Sequence, residues 1–230
     1  MILCLVLNKK MYLCNQHIFH YLITMRQLID PKDTTRAEAF PLWSKSPQPM
    51  VTVGKTFDVT RLRKVSRRKG MKFKMLLCWC IGRAASQIDE FYLLVDKGQL
   101  YRYDRLAINV FVNHQKGGIC TGAIPYSDDI QQFSSDYDRI TQQAAIACQN
   151  ITDDGAQKIG TSAVVGTELD YVVNQYTGVY HDPFLVWSRY HRHWFRTTLA
   201  VSMQFHHAQM DGSHVARFLE RLQQTINELT

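Results

Sequence analysis

The chain switches repeatedly between two hydrophobic periods, and each switch predicts an element. MVTVGKTFDV (50–59) alternates apolar with polar residues, the period of a half-buried strand. Asp58 and Thr60 stand next as N-cap candidates for a helix that Gly70 ends. A second, more apolar helix over 73–88, rich in Met, Leu and Cys, is expected to pack against a sheet. FYLLV (91–95) and QLYRYD (99–104) flank Asp96-Lys97-Gly98 as a hairpin, and strands are predicted at INVFV (108–112) and ICTGAI (119–124). One antiparallel sheet is expected to hold these four strands.

Pro125, Ser127 and Asp128 open a long polar helix running to about Cys148, with Ile130, Phe133, Tyr137, Ile140 and Ala144 on one face. A polar link over 150–160 leads back to strands at TSAVVG (161–166), FLVWSRY (184–190) and TTLAVSMQFHH (197–207). The last helix keeps Val215, Phe218, Leu219, Leu222, Ile226 and Leu229 at helical spacing. Upstream, Asp30-Pro31 marks a turn before a short helix-like stretch at 36–43. With no internal repeat, the pattern predicts an α+β fold, a mixed β-sheet flanked by helices.

Composition narrows this only slightly. The 230 residues are 46% hydrophobic and 20% charged, which fits one globular domain able to bury a full core and a pocket. The net charge of +7 invites a nucleic-acid reading, but the run RLRKVSRRKGMKFK (61–74) carries eight basic and no acidic residues, so the rest of the chain is near neutral. That run lacks interleaved aromatics and any nucleic-acid module, so no nucleic-acid partner is expected.

The six cysteines, at 4, 14, 78, 80, 120 and 148, show no CxxC and read as reduced thiols, which points to a cytoplasmic location. MILCLVL is followed by Asn8, Lys9 and Lys10, the reverse of a signal peptide, and is too short to span a bilayer; no membrane partner is expected. Met25 is the expected natural start, leaving 1–24 as an extension outside a single domain at 25–230.

Candidate chemistry concentrates in His206-His207-Ala208-Gln209-Met210-Asp211-Gly212, between the last strand and the last helix. A histidine at a strand end can project into a cleft, and an imidazole, whose ordinary pKa is about 6.5, can accept a hydroxyl proton at neutral pH. Asp-Gly marks a tight turn in which a carboxylate can brace the backbone. Tyr190-His191-Arg192-His193-Trp194 has a His-x-His spacing but no third ligand at a plausible distance, so it reads as an exposed turn and no metal is expected.

These residues resemble a family. SMQFHHAQMDGSHVARFLERLQ is similar to the C-terminal signature of the chloramphenicol acetyltransferases, the trimeric class with the HHxxxDG motif. KTFDVTRLRK, IDEFYLLVDKGQLYRYD, and VFVN followed by IPYSDDIQQF agree in order and spacing, so the resemblance runs from about Arg36 to the C-terminus. It implies a CoA-dependent acyltransferase fold, a two-layer sandwich, assembled as a homotrimer.

The implied reaction moves acetyl from acetyl-CoA to a hydroxyl of a small molecule, chloramphenicol or a related compound. His207 would be the general base and Ser162, in TSAVVG, the hydrogen-bond donor to the oxyanion. Asp211 would pair with Arg36, four residues before Phe40 as in the family's W-x-R-x-x-x-F pattern, to hold the histidine loop. In the implied trimer His207 comes from one chain and much of the acceptor wall from its neighbour.

The sequence also departs from the family. Thr34 replaces the Trp before the arginine, Val165-Gly166 replaces a Pro-Trp, and Ile119, with Thr121 two residues on, stands where an aromatic lines the antibiotic pocket. The basic run gains a second reading, as a surface attractive to the phosphates of CoA. Two alternatives stand beside the acetyltransferase: a dihydrolipoamide acyltransferase-like core, and a non-catalytic relative of the fold.

Overall fold

The computed structural model describes residues 26–176 and 178–230; the expected extension at 1–24 lies outside them. Two sheets form. The larger runs in the order β2 (Met50–Asp58), β10 (Thr197–His206), β8 (Phe184–Ser188), β7 (Gln157–Val164), β5 (Leu106–Asn113), β6 (Ile119–Pro125), with the two-residue β9 (His191–Arg192) on the start of β10. β7 runs parallel to β5 and β8, and the other pairings are antiparallel, so the sheet is mixed.

The smaller sheet corrects the expectation of one sheet for four strands. β3 (Leu93–Asp96) and β4 (Gln99–Tyr103) form the hairpin, but their third strand is β1 (Arg26–Ile29), in the order β1-β4-β3. Arg26–Ile29 is too short for its alternation to stand out, and only pairing with Leu100–Tyr103 makes it a strand. The expected link at 150–160 is also shorter than predicted. β7 begins at Gln157, whose buried backbone continues the ladder beside Leu106.

Helices cover one face of the large sheet. Six of the eight basic residues of the run lie on α2 (Thr60–Lys69), and Lys72 and Lys74 stand at the start of the next helix; Gly70 ends α2 at φ 67°, a left-handed conformation that suits a residue without Cβ. Neither Asp58 nor Thr60 is the N-cap, which is Val59; the Asp58 carboxylate instead accepts from the Thr60 N–H at 2.9 Å. α3 (Phe73–Ala85) is almost wholly buried and packs against α5 (Gly212–Glu228), α2 and α4 (Ile130–Ala147). Asp129, one residue beyond the predicted opening of α4, caps it by accepting from the Gln131 N–H.

β10 shows how the layers divide. Leu199, Val201, Met203 and Phe205 enter the core under the helices, whereas Ser202, Gln204 and His206 point to the other face. There the segment after β7 crosses the sheet: Val172 N–H donates to Ser202 Oγ, and the Gln204 amide donates to Asn174 O. The rest of that face toward β6 is open. Among the described residues no helix is long and apolar enough to cross a membrane. Cys78, Cys80 and Cys120 are buried free thiols, and burial pushes the Cys78 thiol up to about 12.

Candidate active site

The end of β10 delivers two adjacent histidines into different surroundings. His206 lies under the crossing segment, 1% exposed, its Nδ1 accepting from the Ala208 N–H at 3.1 Å and its ring edge-on to His181 at 4.8 Å. Burial pushes its imidazole down to about 4, helped by the fields of His181 and His207, so it stays neutral. His207 continues the ladder by one bond to Pro49 O at 2.8 Å and then turns out of the sheet. Its ring stacks on Trp43 of α1 (Ala39–Trp43), with centroids 4.5 Å apart and planes 8° from parallel. Nδ1 of His207 is sealed from solvent without a partner among the described residues, which leaves Nε2 as the nitrogen able to meet a reactant.

Arg36 holds this turn together from inside. Its guanidinium, 1% exposed, donates to His207 O at 3.0 Å, Ala208 O at 3.2 Å and Asp211 Oδ2 at 2.9 Å. One planar fork therefore fixes the histidine backbone and the first residue before α5 together. Asp211 is not in the tight turn itself, which spans 207–209; it is the N-cap of α5, accepting from the N–H and the hydroxyl of Ser213. Gly212 is simply the first helical residue.

Burial alone would raise the Asp211 carboxyl. The Ser213 and Arg36 hydrogen bonds, with His214 nearby, hold it well below the usual carboxylate range. The Asp211 N–H donates to His214 Nδ1, leaving Nε2–H of that ring for Glu90 Oε1 at 3.0 Å, and the Thr35 hydroxyl donates to the same oxygen at 2.7 Å.

Ser162 lies elsewhere in the chain. On β7 it shares a face with Lys158 and Gly160, the open face of the sheet, and it aligns through Val186 with Ser202. His207 is five residues farther along β10. At about 4.8 Å per strand and about 3.3 Å per residue, the two side chains of one chain stand roughly 20 Å apart.

The open face carries a cavity of about 660 Å³ lined by residues including Asn109, Thr121, Lys158, Gly160, Asp182 and Phe184. Gly160 is required there, because a Cβ would come 2.2 Å from the Phe184 ring. Thr121 lines this space; Ile119, at the exposed end of β6, does not.

On the helix side a groove of about 600 Å³ is lined by Phe73, Lys74, Ala163, Arg189 and Tyr190, among others. Phe73 and Tyr190 pack ring to ring at 5.3 Å. The groove and the cavity approach β7 from opposite sides, Ala163 lining one and Gly160 the other. The His191–His193 pair lies at the exposed edge, with His191 Nδ1 2.6 Å from Glu168, and no group of three metal-ligating side chains occurs among the described residues.

Sequence reasoning missed Trp43, Lys158 and Asp182. Trp43 had a signal, three residues after Phe40 on the predicted helical stretch, but nothing local says that its ring faces the end of β10. Lys158 and Asp182 had none, because one lay in the presumed link and the other in an unassigned loop.

The family model for chloramphenicol acetyltransferase matches residues 25–223. The chain is 28% identical to chloramphenicol acetyltransferase 3 of Escherichia coli over 204 residues, 86% of this chain and 95% of that protein. It is 26% identical to chloramphenicol acetyltransferase 2 of the same organism, over 85% of this chain and 94% of that one. A solved chloramphenicol acetyltransferase superposes with a TM-score of 0.76 at 21% identity, covering 87% of this chain and 99% of that one. The dihydrolipoamide acetyltransferase of Azotobacter vinelandii gives 0.59 at 20% identity, over 78% and 82%.

Proposed function

The chain belongs to the chloramphenicol acetyltransferase family and is an acyltransferase, and from that premise we propose how it carries acetyl from acetyl-CoA to a small-molecule hydroxyl, with chloramphenicol one candidate acceptor. The acceptor occupies the cavity on the open sheet face. His207 Nε2 takes the hydroxyl proton as the oxygen attacks the thioester carbon. Ser162 Oγ donates a hydrogen bond to the oxyanion that forms, and collapse expels the CoA sulfur, which recovers the proton from His207. General-base catalysis of this kind contributes about 10²–10⁴-fold and one aimed oxyanion donor about 10²–10³-fold.

The observation that carries this reading is the hold on His207. Arg36 binds its carbonyl, Trp43 fixes its ring plane, and Nδ1 is enclosed, so the one free nitrogen has a set direction. We assign acetyl-CoA to the helix-side groove, where Arg189, 3.8 Å from Glu168, and Lys74, which donates to Phe111 O, supply cationic groups for phosphates beside the Tyr190 and Phe73 rings. α2, whose charge is largely exposed, ends four positions before Phe73 and adds positive field on that side of the molecule.

The roughly 20 Å between Ser162 and His207 supports a homotrimer in which His207 of one chain faces Ser162 of the next. Residues 1–24 belong outside the domain in this reading, and the protein works in the cytoplasm. The curated relatives make the dihydrolipoamide acyltransferase alternative the less supported one, and the directed His207 ring counts against a non-catalytic relative.

Release of the CoA thiol with a panel of hydroxyl acceptors is the direct test. His207→Ala is expected to lower turnover by about 10²–10⁴-fold while the protein stays folded, its melting temperature falling only by the small worth of the lost stack on Trp43. Full turnover in that variant would overturn the assignment of the base.

A further inference from the structure

The cavity on the open face combines aromatic rings with amides and two charged side chains. Its aromatic lining comprises Phe111 and Phe184, which meet edge to face with centroids 6.1 Å apart, and Tyr180. The remainder is dominated by amides and charged groups, including Asn109, Gln204, Lys158 and Asp182. These groups are not equally available. Lys158 Nζ is 3.1 Å from Asp154 Oδ1, outside the cavity on an exposed loop. The Gln204 amide is committed to Asn174 O.

Asp182 has a hydrogen bond from its own backbone N–H and a long contact, 3.4 Å from Gln157 Nε2 to Oδ1, but among the described residues no ion-pair partner. The Asn109 side-chain amide, beside Gly160 across β5 and β7, has no hydrogen-bond partner among the described residues.

A carboxylate in a partly enclosed wall, without a cation bonded to it, is an electrostatic cost that a positively charged ligand relieves. Burial raises the Asp182 carboxyl above its ordinary range, opposed by the field of Lys158, by a bond from its own backbone N–H, and by His181 and Gln157, none of them a bonded cation. An anionic ligand would meet the same carboxylate with the nearest lysine already engaged. Free amides such as Asn109 suit hydroxyl groups, and the Phe111–Phe184 edge suits the C–H face of a saturated ring.

We propose that the acceptor is a polyhydroxylated amine, of the amino-sugar or aminocyclitol class, bound with its ammonium on Asp182 and ring hydroxyls on Asn109. This names the substrate class for the acetyl transfer proposed above and rests on it for the reaction, but the binding step stands without it.

The test is binding before chemistry. Titration calorimetry with the whole protein, without acetyl-CoA, compares glucosamine and a two-ring aminocyclitol glycoside with their N-acetylated derivatives, which keep the hydroxyls and lose the charge, and with glucose. Each amine is expected to bind more tightly than its uncharged counterparts. Asp182→Asn should weaken amine binding by roughly 10- to 100-fold, the worth of a charge-assisted hydrogen bond, and leave the neutral compounds unchanged.

Lys158→Met should strengthen amine binding, because it removes a competing cation. Melting curves check that both variants fold, and the opposite sign of the second guards against a general loss of structure. Equal affinity for charged and neutral members, or no binding by any amine, would overturn the proposal. Amine binding without acetyl transfer would overturn the acetyltransferase reading while leaving the cavity assignment intact.

Discussion

Trp43 lies flat against His207, ring centroids 4.5 Å apart, and with the seal on Nδ1 this contact leaves the imidazole one orientation. A stack of this kind positions a base rather than reacting itself. Trp43→Ala is therefore expected to lower kcat by about tenfold with KM for acetyl-CoA little changed, and Trp43→Phe to recover most of the loss. Steady-state kinetics of the two variants separate positioning from simple destabilisation, since a structural role alone would not be rescued in kcat by a ring.

Arg36 is buried and makes three bonds to the histidine turn. Arg36→Ala should cost about 3 kcal/mol, the lower end for breaking a buried pair, because Asp211 is partly exposed and water can take over some of its loss. Urea denaturation measures this directly. The folded Asp211 carboxyl titrates below its unfolded value, so its contribution is present above about pH 4 and disappears as pH falls through the folded value. Asp211→Asn should be less stable than the parent at pH 7 and should lose less between pH 5 and acid.

His206 titrates in a different window. Its imidazole is held down to about 4 by burial, so between about pH 6.5 and 4 the unfolded chain binds a proton that the folded chain refuses. Stability from this group is complete above about pH 6.5 and falls by about 3 kcal/mol as pH drops to about 4. His206→Gln should flatten that part of the stability curve, read from urea midpoints at half-unit pH steps. A curve parallel to the parent's would locate the titration elsewhere.

The separation of Ser162 and His207 permits a complementation experiment. Ser162→Ala and His207→Ala should each be nearly inactive alone. Co-refolded in equal amounts, they should regain roughly a quarter of the parent sites, because each two-chain site then has half a chance of each intact residue. No recovery in mixed assemblies of verified composition would mean that the site lies within one chain.

Much of the fold was legible because it is local. The apolar spacing of α5, the left-handed Gly70 after α2 and the hairpin at Lys97-Gly98 all depend on residues within a few positions of each other, whereas the sequence placed Asp211 in a turn and not at the N-cap of α5. The strand pairing was not. Alternation in FYLLV and INVFV reads the same whether the two share a sheet, and only the packing of Arg26–Ile29 onto β4 separates them. Gln157 looked like linker because it is polar, yet its backbone pairs with Leu106 in a buried ladder.

The sequence by itself determined the element types, the concentration of positive charge in one run, and the motif that ends β10 and starts α5, since periods and turns are set by neighbours along the chain. The tertiary structure supplied the contact of Arg36 with Asp211 across 175 positions, a pair that only the family resemblance had named, and it alone decided that Trp43 covers His207, that Ser162 stands far from it, and that Asp182 faces a cavity without a bonded cation. Those relations follow from which faces the whole sheet must bury and which it leaves open, and that balance exists only once every strand has its partners.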